Sequence, residues 1–149
     1  MSFSVLMVCT GNICRSVMAE QILREAAANS GVDILVDSAG ISDEEHGHGI
    51  DSRAARALRE GGYRVPSHRA RQVQAGELQR WDLILAMTSS HLRALERLAG
   101  GPDPKIRMFR DFEESAGEPA RGGSRDVPDP WYGDYSDFEA TRATIEKCT

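Results

Sequence analysis

No stretch of the 149-residue chain approaches the roughly 20 consecutive apolar residues of a membrane span. The N-terminus also lacks the long apolar run of a secretory signal. The expectation is a soluble, cytoplasmic protein with no membrane partner. Cysteine is scarce, with only Cys9, Cys14 and Cys148. An odd number of thiols without zinc-ligand spacing argues against a disulfide framework or a structural metal, so the thiols are expected to be reduced. His46 and His48 form an HGH pair, but two imidazoles without a nearby cysteine or a clear third ligand fall short of a metal site. They read as exposed loop residues, and neither a metal nor another cofactor is expected. An excess of positive charge is missing too. A net charge of −5 disfavours binding nucleic acid through its phosphate backbone, so any anion site must be a focused pocket. There is no internal repeat or long low-complexity tract, and the length suits one compact domain over residues 1–149.

What the chain does have is an alternation of short apolar runs and helical patterns, which suggests an α/β fold. Strands are expected over Phe3 to Val8, Ile34 to Asp37, Leu83 to Met87 and Ile106 to Phe109. Helices are expected to begin near Ser16, Asp51, Ala75 and Ser89, with a last one from about Ser136. The resulting architecture is a single-domain, four-stranded parallel sheet. Right-handed crossovers put helices on both of its faces and the ligand site at the carboxyl ends of the strands. Glu113 to Arg125 reads as a surface loop.

Directly after the first apolar run the chain reads Cys9-Thr10-Gly11-Asn12-Ile13-Cys14-Arg15-Ser16. A loop between a strand end and a helix start can turn successive N–H groups inward, and the helix N-terminus adds positive partial charge. Together they suit a tetrahedral dianion, so Thr10 to Ser16 is the expected phosphate-binding loop after the first strand. Gly11 supplies a flexible turn, Arg15 a planar fork for phosphate oxygens, and Ser16 a hydroxyl near the sulfur. A cysteine at a helix N-terminus beside a cation ionises more readily than a free one, which makes Cys9 the expected nucleophile. Alone, such a cysteine reads as a small buried residue. The combination overturns that reading. This string, followed by Met18-Ala19-Glu20, resembles the low-molecular-weight protein tyrosine phosphatase family.

The resemblance covers nearly the whole chain and implies a similar fold, with phosphotyrosine-containing proteins as substrates and a cysteinyl-phosphate intermediate. A second string supplies what that chemistry needs. Asp126 to Tyr135 reads DVPDPWYGDY, and a carboxylic acid on a loop over the pocket can protonate the departing phenolate. Asp129 is the candidate acid and then base, with Asp126 and Asp134 as competitors. Pro130 biases Asp129 towards extended backbone, while Trp131 and Tyr132 offer aromatic walls that complete a substrate pocket with Ile13. DPWYG resembles the family's acid loop and maps the role onto Asp129. The resemblance further implies that Ser38 and His68 are hydrogen-bonding partners of Asn12, whose amide holds the loop's strained turn. Cys14 is a redox candidate, able to capture oxidised Cys9 as a disulfide, beside an equally available packing role.

The chain also departs from the family pattern. Val17 stands where proline is common, Thr88 where aspartate is frequent, and Ser42 to Gly49 replaces a stretch that often contributes an aromatic wall. Glu44 and Glu45 in that stretch would repel acidic substrate peptides. Family members usually continue for another turn or more where the last helix stops here, so the resemblance implies a shortened C-terminus at Thr149. Three other readings compete. An arsenate reductase needs a relay of redox cysteines, and none lies between Arg15 and Lys147. A protein-arginine phosphatase has a small polar residue at Ile13. A non-enzymatic phosphotyrosine-binding module would lack the thiol or the acid.

Overall fold

Four parallel strands in the order β2-β1-β3-β4 form the sheet that places every loop discussed below. The computed structural model describes residues 3–42, 47–112, 127 and 135–148. β1 spans Phe3–Cys9, β2 Ile34–Gly40, β3 Leu83–Ala86 and β4 Ile106–Met108. The helices are α1 (Arg15–Asn29), α2 (Ser52–Glu60), α3 (Ser89–Ala99) and α4 (Tyr135–Cys148).

β1 lies inside the sheet and is buried on both faces, so it is apolar almost throughout rather than alternating. Its residues feed two separate cores. Val5, Met7 and Cys9 pack on one side with Met18 and Ile22 of α1, Ala54 and Leu58 of α2, and Phe138 and Ile145 of α4. Leu6 and Val8 pack on the other with Ile84, Ala86, Leu95 and Ile106. Helices therefore cover both faces, as the sequence pattern implies.

Helix ends follow local chemistry. The Asp51 carboxylate caps α2 by accepting from the N–H groups of Arg53 and Ala54, and Thr88 Oγ1 caps α3 through the N–H of His91. Gly100 stops α3 in the left-handed region at φ 83°. The expected helix near Ala75 is instead a 3-10 turn over Ala75–Arg80, closed by a reciprocal Gln74–Glu77 capping box. β2 runs on past Asp37 to Gly40, because Ser38, Ala39 and Gly40 pair with Met7, Val8 and Cys9. Ser38 is thus a strand residue. At the opening of α4 the Tyr135 hydroxyl donates to Glu60 of α2 at 2.5 Å, and the Arg56 guanidinium lies 3.7 Å over its ring. No described helix is long and apolar enough to cross a membrane.

Candidate active site

Cys9 ends β1 and Arg15 begins α1, so the chain passes from strand to helix within Thr10 to Cys14. Asn12 takes the turn at φ 62°, a backbone region asparagine tolerates better than most residues. The surrounding segments hold the loop by its carbonyls. Cys9 O accepts from the Ile41 N–H at 2.9 Å, Thr10 O from Ser42 at 3.0 Å and Ile13 O from Asp51 at 2.9 Å. The Asn12 carbonyl accepts from His68 Nε2 at 2.5 Å, which requires the proton on that nitrogen. By contrast, the N–H groups of Gly11, Asn12 and Ile13 donate to none of the described residues. Buried or half-buried amides in that condition have to meet an external acceptor, and consecutive ones form an anion nest. The first-turn N–H groups of α1 stand at the same place.

A directed chain of hydrogen bonds ends on the sulfur. The Arg71 N–H donates to Asn12 Oδ1 at 3.1 Å, which settles the orientation of the side-chain amide. Asn12 Nδ2 then donates to Ser16 Oγ at 2.9 Å. Ser16 Oγ lies 3.0 Å from Cys9 Sγ, and because it already accepts from Asn12 its own proton is available to the sulfur. Cys9, Asn12 and Ser16 are all buried. Arg15 is buried as well, and its guanidinium donates to the Val127 carbonyl at 3.1 Å. Val127 is itself fully buried, and its N–H donates to Met87 O at 2.7 Å just past the end of β3. Val127, two residues before Asp129 in the sequence, is therefore held beside Arg15.

One expected contact is absent. Ser38 does not support Asn12. Its hydroxyl donates at 2.5 Å to Glu20 of α1, a buried carboxylate that also pairs with Arg24. A carboxylate is the stronger acceptor, and the strand register aims Ser38 at α1 rather than at the loop. The second contact to Asn12 comes from the Arg71 backbone instead. Ile13 is buried in the core cluster shared with α1 and α2, and so is Cys14, which is a free thiol like Cys9. Asp126, Asp129, Trp131, Tyr132, Asp134, Glu44, Glu45 and His46 lie outside the described residues. Thr88 proves to be the cap of α3.

Several supporting residues carry no sequence motif of their own. Gly40 closes β2 against the loop, and a Cβ there would sit 2.5 Å from Thr10 O and 3.2 Å from Asn12 N. Both are backbone atoms that no rotamer change can relieve, so Gly40→Ala displaces the loop itself. Its affinity for inorganic phosphate, measured by calorimetry, is expected to fall by about tenfold to a hundredfold. Unchanged affinity would show that the loop absorbs the methyl group. A strand-ending glycine next to a phosphate loop was the only available signal.

Arg71 is held by an ion-pair network remote from the sulfur. Its guanidinium donates to both oxygens of Glu77 at 2.9 Å and to Asp37 at 3.1 Å. Partial burial on its own raises the Glu77 pKa, but the bonds from Arg71, the Gln74 N–H and Trp81 outweigh it and hold the carboxyl below the ordinary 4.5. A depressed carboxylate contributes stability that is present above 4.5 and lost as pH falls through the folded-state value. Glu77→Gln should therefore lower the melting temperature by about 3–6 °C at neutral pH. The gap from wild type should narrow steadily in melts taken below pH 4.5. A gap independent of pH would remove Glu77 from this role.

Residues 4–149 match the sequence profile of the family described as "Low molecular weight phosphotyrosine protein phosphatase". A Streptomyces coelicolor protein named low molecular weight protein-tyrosine-phosphatase is 41% identical over 150 aligned positions, covering 98% of this chain and 88% of that protein. Among solved structures, an Entamoeba histolytica protein tyrosine phosphatase with Hepes in its active site superposes with a TM-score of 0.87 at 29% identity, covering 99% of this chain and 92% of that one. Vibrio vulnificus Wzb in complex with benzylphosphonate superposes with a TM-score of 0.82 at 28% identity, covering 99% of this chain and 94% of that one.

Proposed function

Because the chain belongs to the low molecular weight phosphotyrosine protein phosphatase family, a family of enzymes, we propose that it hydrolyses phosphotyrosine in proteins through a cysteinyl-phosphate intermediate. The observation that carries this reading is the loop's division of labour. The carbonyls of Cys9, Thr10, Asn12 and Ile13 are engaged from outside, while the amides of Gly11, Asn12 and Ile13, the buried Arg15 side chain and the Cys9 sulfur belong to one seven-residue stretch between β1 and α1. That is the donor set a phosphoryl group with three equatorial oxygens requires, with a nucleophile at its base.

In the first step Cys9 Sγ attacks phosphorus in line as the bond to the tyrosine oxygen breaks. Asp129 gives its proton to the leaving phenolate. In the second step Asp129, now ionised, takes a proton from the attacking water, and the sulfur leaves as thiolate. The Ser16 hydroxyl, turned towards the sulfur by Asn12, stabilises that thiolate and makes it a better leaving group. Trp131 and Tyr132 flank the substrate ring, and the benzylphosphonate in the Wzb complex likewise joins an anionic phosphorus group to an aromatic ring, there through one CH2. Cys14 is the candidate partner that captures Cys9 once an oxidant has converted it to a sulfenic acid. The cytoplasm, where thiols stay reduced, suits such a nucleophile.

Parallel hydrolysis of phosphotyrosine and phosphoarginine peptides, with arsenate reduction as a control, tests the reading. Phosphotyrosine is expected to be the preferred substrate, because Ile13 offers no polar group to a guanidinium. A preference for phosphoarginine, or binding without turnover, would replace this reading with one of its competitors.

A further inference from the structure

The phosphate loop is held at its first residue by a side chain that no motif singles out. Thr10, directly after the nucleophile, is exposed, yet its hydroxyl lies 2.8 Å from Nε2 of His91, whose side chain is buried. The topology explains the meeting. β1 and β3 are parallel neighbours, with Val8 opposite Ala86, so their carboxyl ends deliver the loop and the start of α3 to the same edge. The Met87 N–H donates to Val8 O at 3.0 Å and locks that juxtaposition. His91 is the third residue of α3, and its own N–H is capped by Thr88 Oγ1 at 3.2 Å, which fixes where its ring emerges. The Thr10 carbonyl is already held by Ser42. With the hydroxyl also held, the peptide joining Thr10 to Gly11 has little freedom left to rotate.

We propose that His91 is a positioning residue of the active site. Through the Thr10 hydroxyl it fixes the first peptides of the phosphate loop, and with them the Gly11 N–H and the aim of the Cys9 sulfur. The inference rests on the phosphatase reading for its kinetic effect, but the contact itself exists independently of that reading. A residue acting this way affects the transition state more than the ground state, because the in-line geometry is what its loss relaxes. It also works only through Thr10, so the two residues form one coupled unit.

The test uses four variants of the intact chain. Thr10→Val removes the hydroxyl at nearly constant shape, Thr10→Ser keeps it, His91→Ala removes the ring, and the fourth combines Thr10→Val with His91→Ala. With an aryl phosphate substrate, Thr10→Val and His91→Ala are each expected to lower kcat about tenfold, with KM changing less than threefold. The double variant should be no worse than the poorer single, and Thr10→Ser should retain most of the rate. Affinity for vanadate, which adopts the five-coordinate geometry, should fall with kcat, while affinity for inorganic phosphate changes little. Multiplying losses in the double variant, or an unchanged kcat in Thr10→Val, would overturn the proposal. His91→Ala opens a buried site, so the nitrogen-15 shift of His91 Nε2 in Thr10→Val supplies a readout that does not depend on that variant folding. That shift should move on loss of the hydroxyl, and a shift identical to wild type would also overturn the proposal. If the wild-type protein turns over no phosphoester, the phosphatase reading fails, whereas the imidazole shift and the vanadate series still decide the role of His91.

Discussion

Cys9→Ser is expected to fold normally, to bind inorganic phosphate, and to lose turnover by at least about 10⁴-fold, the scale on which a nucleophile's removal is felt. The substitution exchanges sulfur for a smaller oxygen at a buried position that already faces a hydroxyl, so the packing around Val5, Met7 and Met18 is hardly disturbed. The amides and guanidinium proposed to hold the anion belong to other residues. What disappears is the nucleophile, because a serine alkoxide is far less accessible near neutral pH than a thiolate. The chain of bonds running from Arg71 through Asn12 and Ser16 stabilises negative charge on sulfur, and it cannot supply the much larger stabilisation an alkoxide needs. Rapid-quench detection of phosphoenzyme, together with steady-state rates, separates the cases. Near-normal hydrolysis in the variant would remove Cys9 from the mechanism.

Residues whose chemistry is local were legible from the sequence. β1 announces itself as a continuous apolar run because both of its faces are covered, and the strand-loop-helix order around Cys9 follows from that run meeting the helical pattern after Arg15. The sheet and its helices on both faces follow from alternation. What the sequence concealed was pairing across distance. Ser38 looked like a partner for Asn12, yet its register opposite Met7 sends its hydroxyl to Glu20. Arg71 supplies the missing bond through its backbone N–H, a group every residue but proline possesses and no side-chain motif can flag. His91 and Gly40 are similar cases, significant only because the parallel strands bring them to the loop's edge. The 3-10 turn at Ala75 shows the same limit at smaller scale, since an α-helical composition there gives way to the Gln74–Glu77 capping box.

The second large effect separates the acid from the nucleophile. Asp129→Asn is expected to slow phosphotyrosine turnover by roughly 10²–10⁴-fold, the usual contribution of a positioned general acid, because tyrosine's phenolate leaves poorly without a proton. The loss should shrink for nitrophenyl esters, whose leaving group stabilises its own charge. Any defect that persists with those esters would report the proposed later role of Asp129 in activating water. Asp126 stands five residues before Trp131 in the sequence and Asp129 two, so Asp126 is the more distant from the aromatic pair. Pro130 follows Asp129 in the sequence, and a residue before proline is biased towards extended backbone. Asp126→Asn is accordingly expected to have the smaller effect. Stopped-flow bursts across esters of graded leaving-group pKa measure the phosphorylation step directly. A phosphorylation rate in Asp129→Asn equal to wild type throughout that series, or a larger defect in Asp126→Asn, would assign the proton to the other carboxylate.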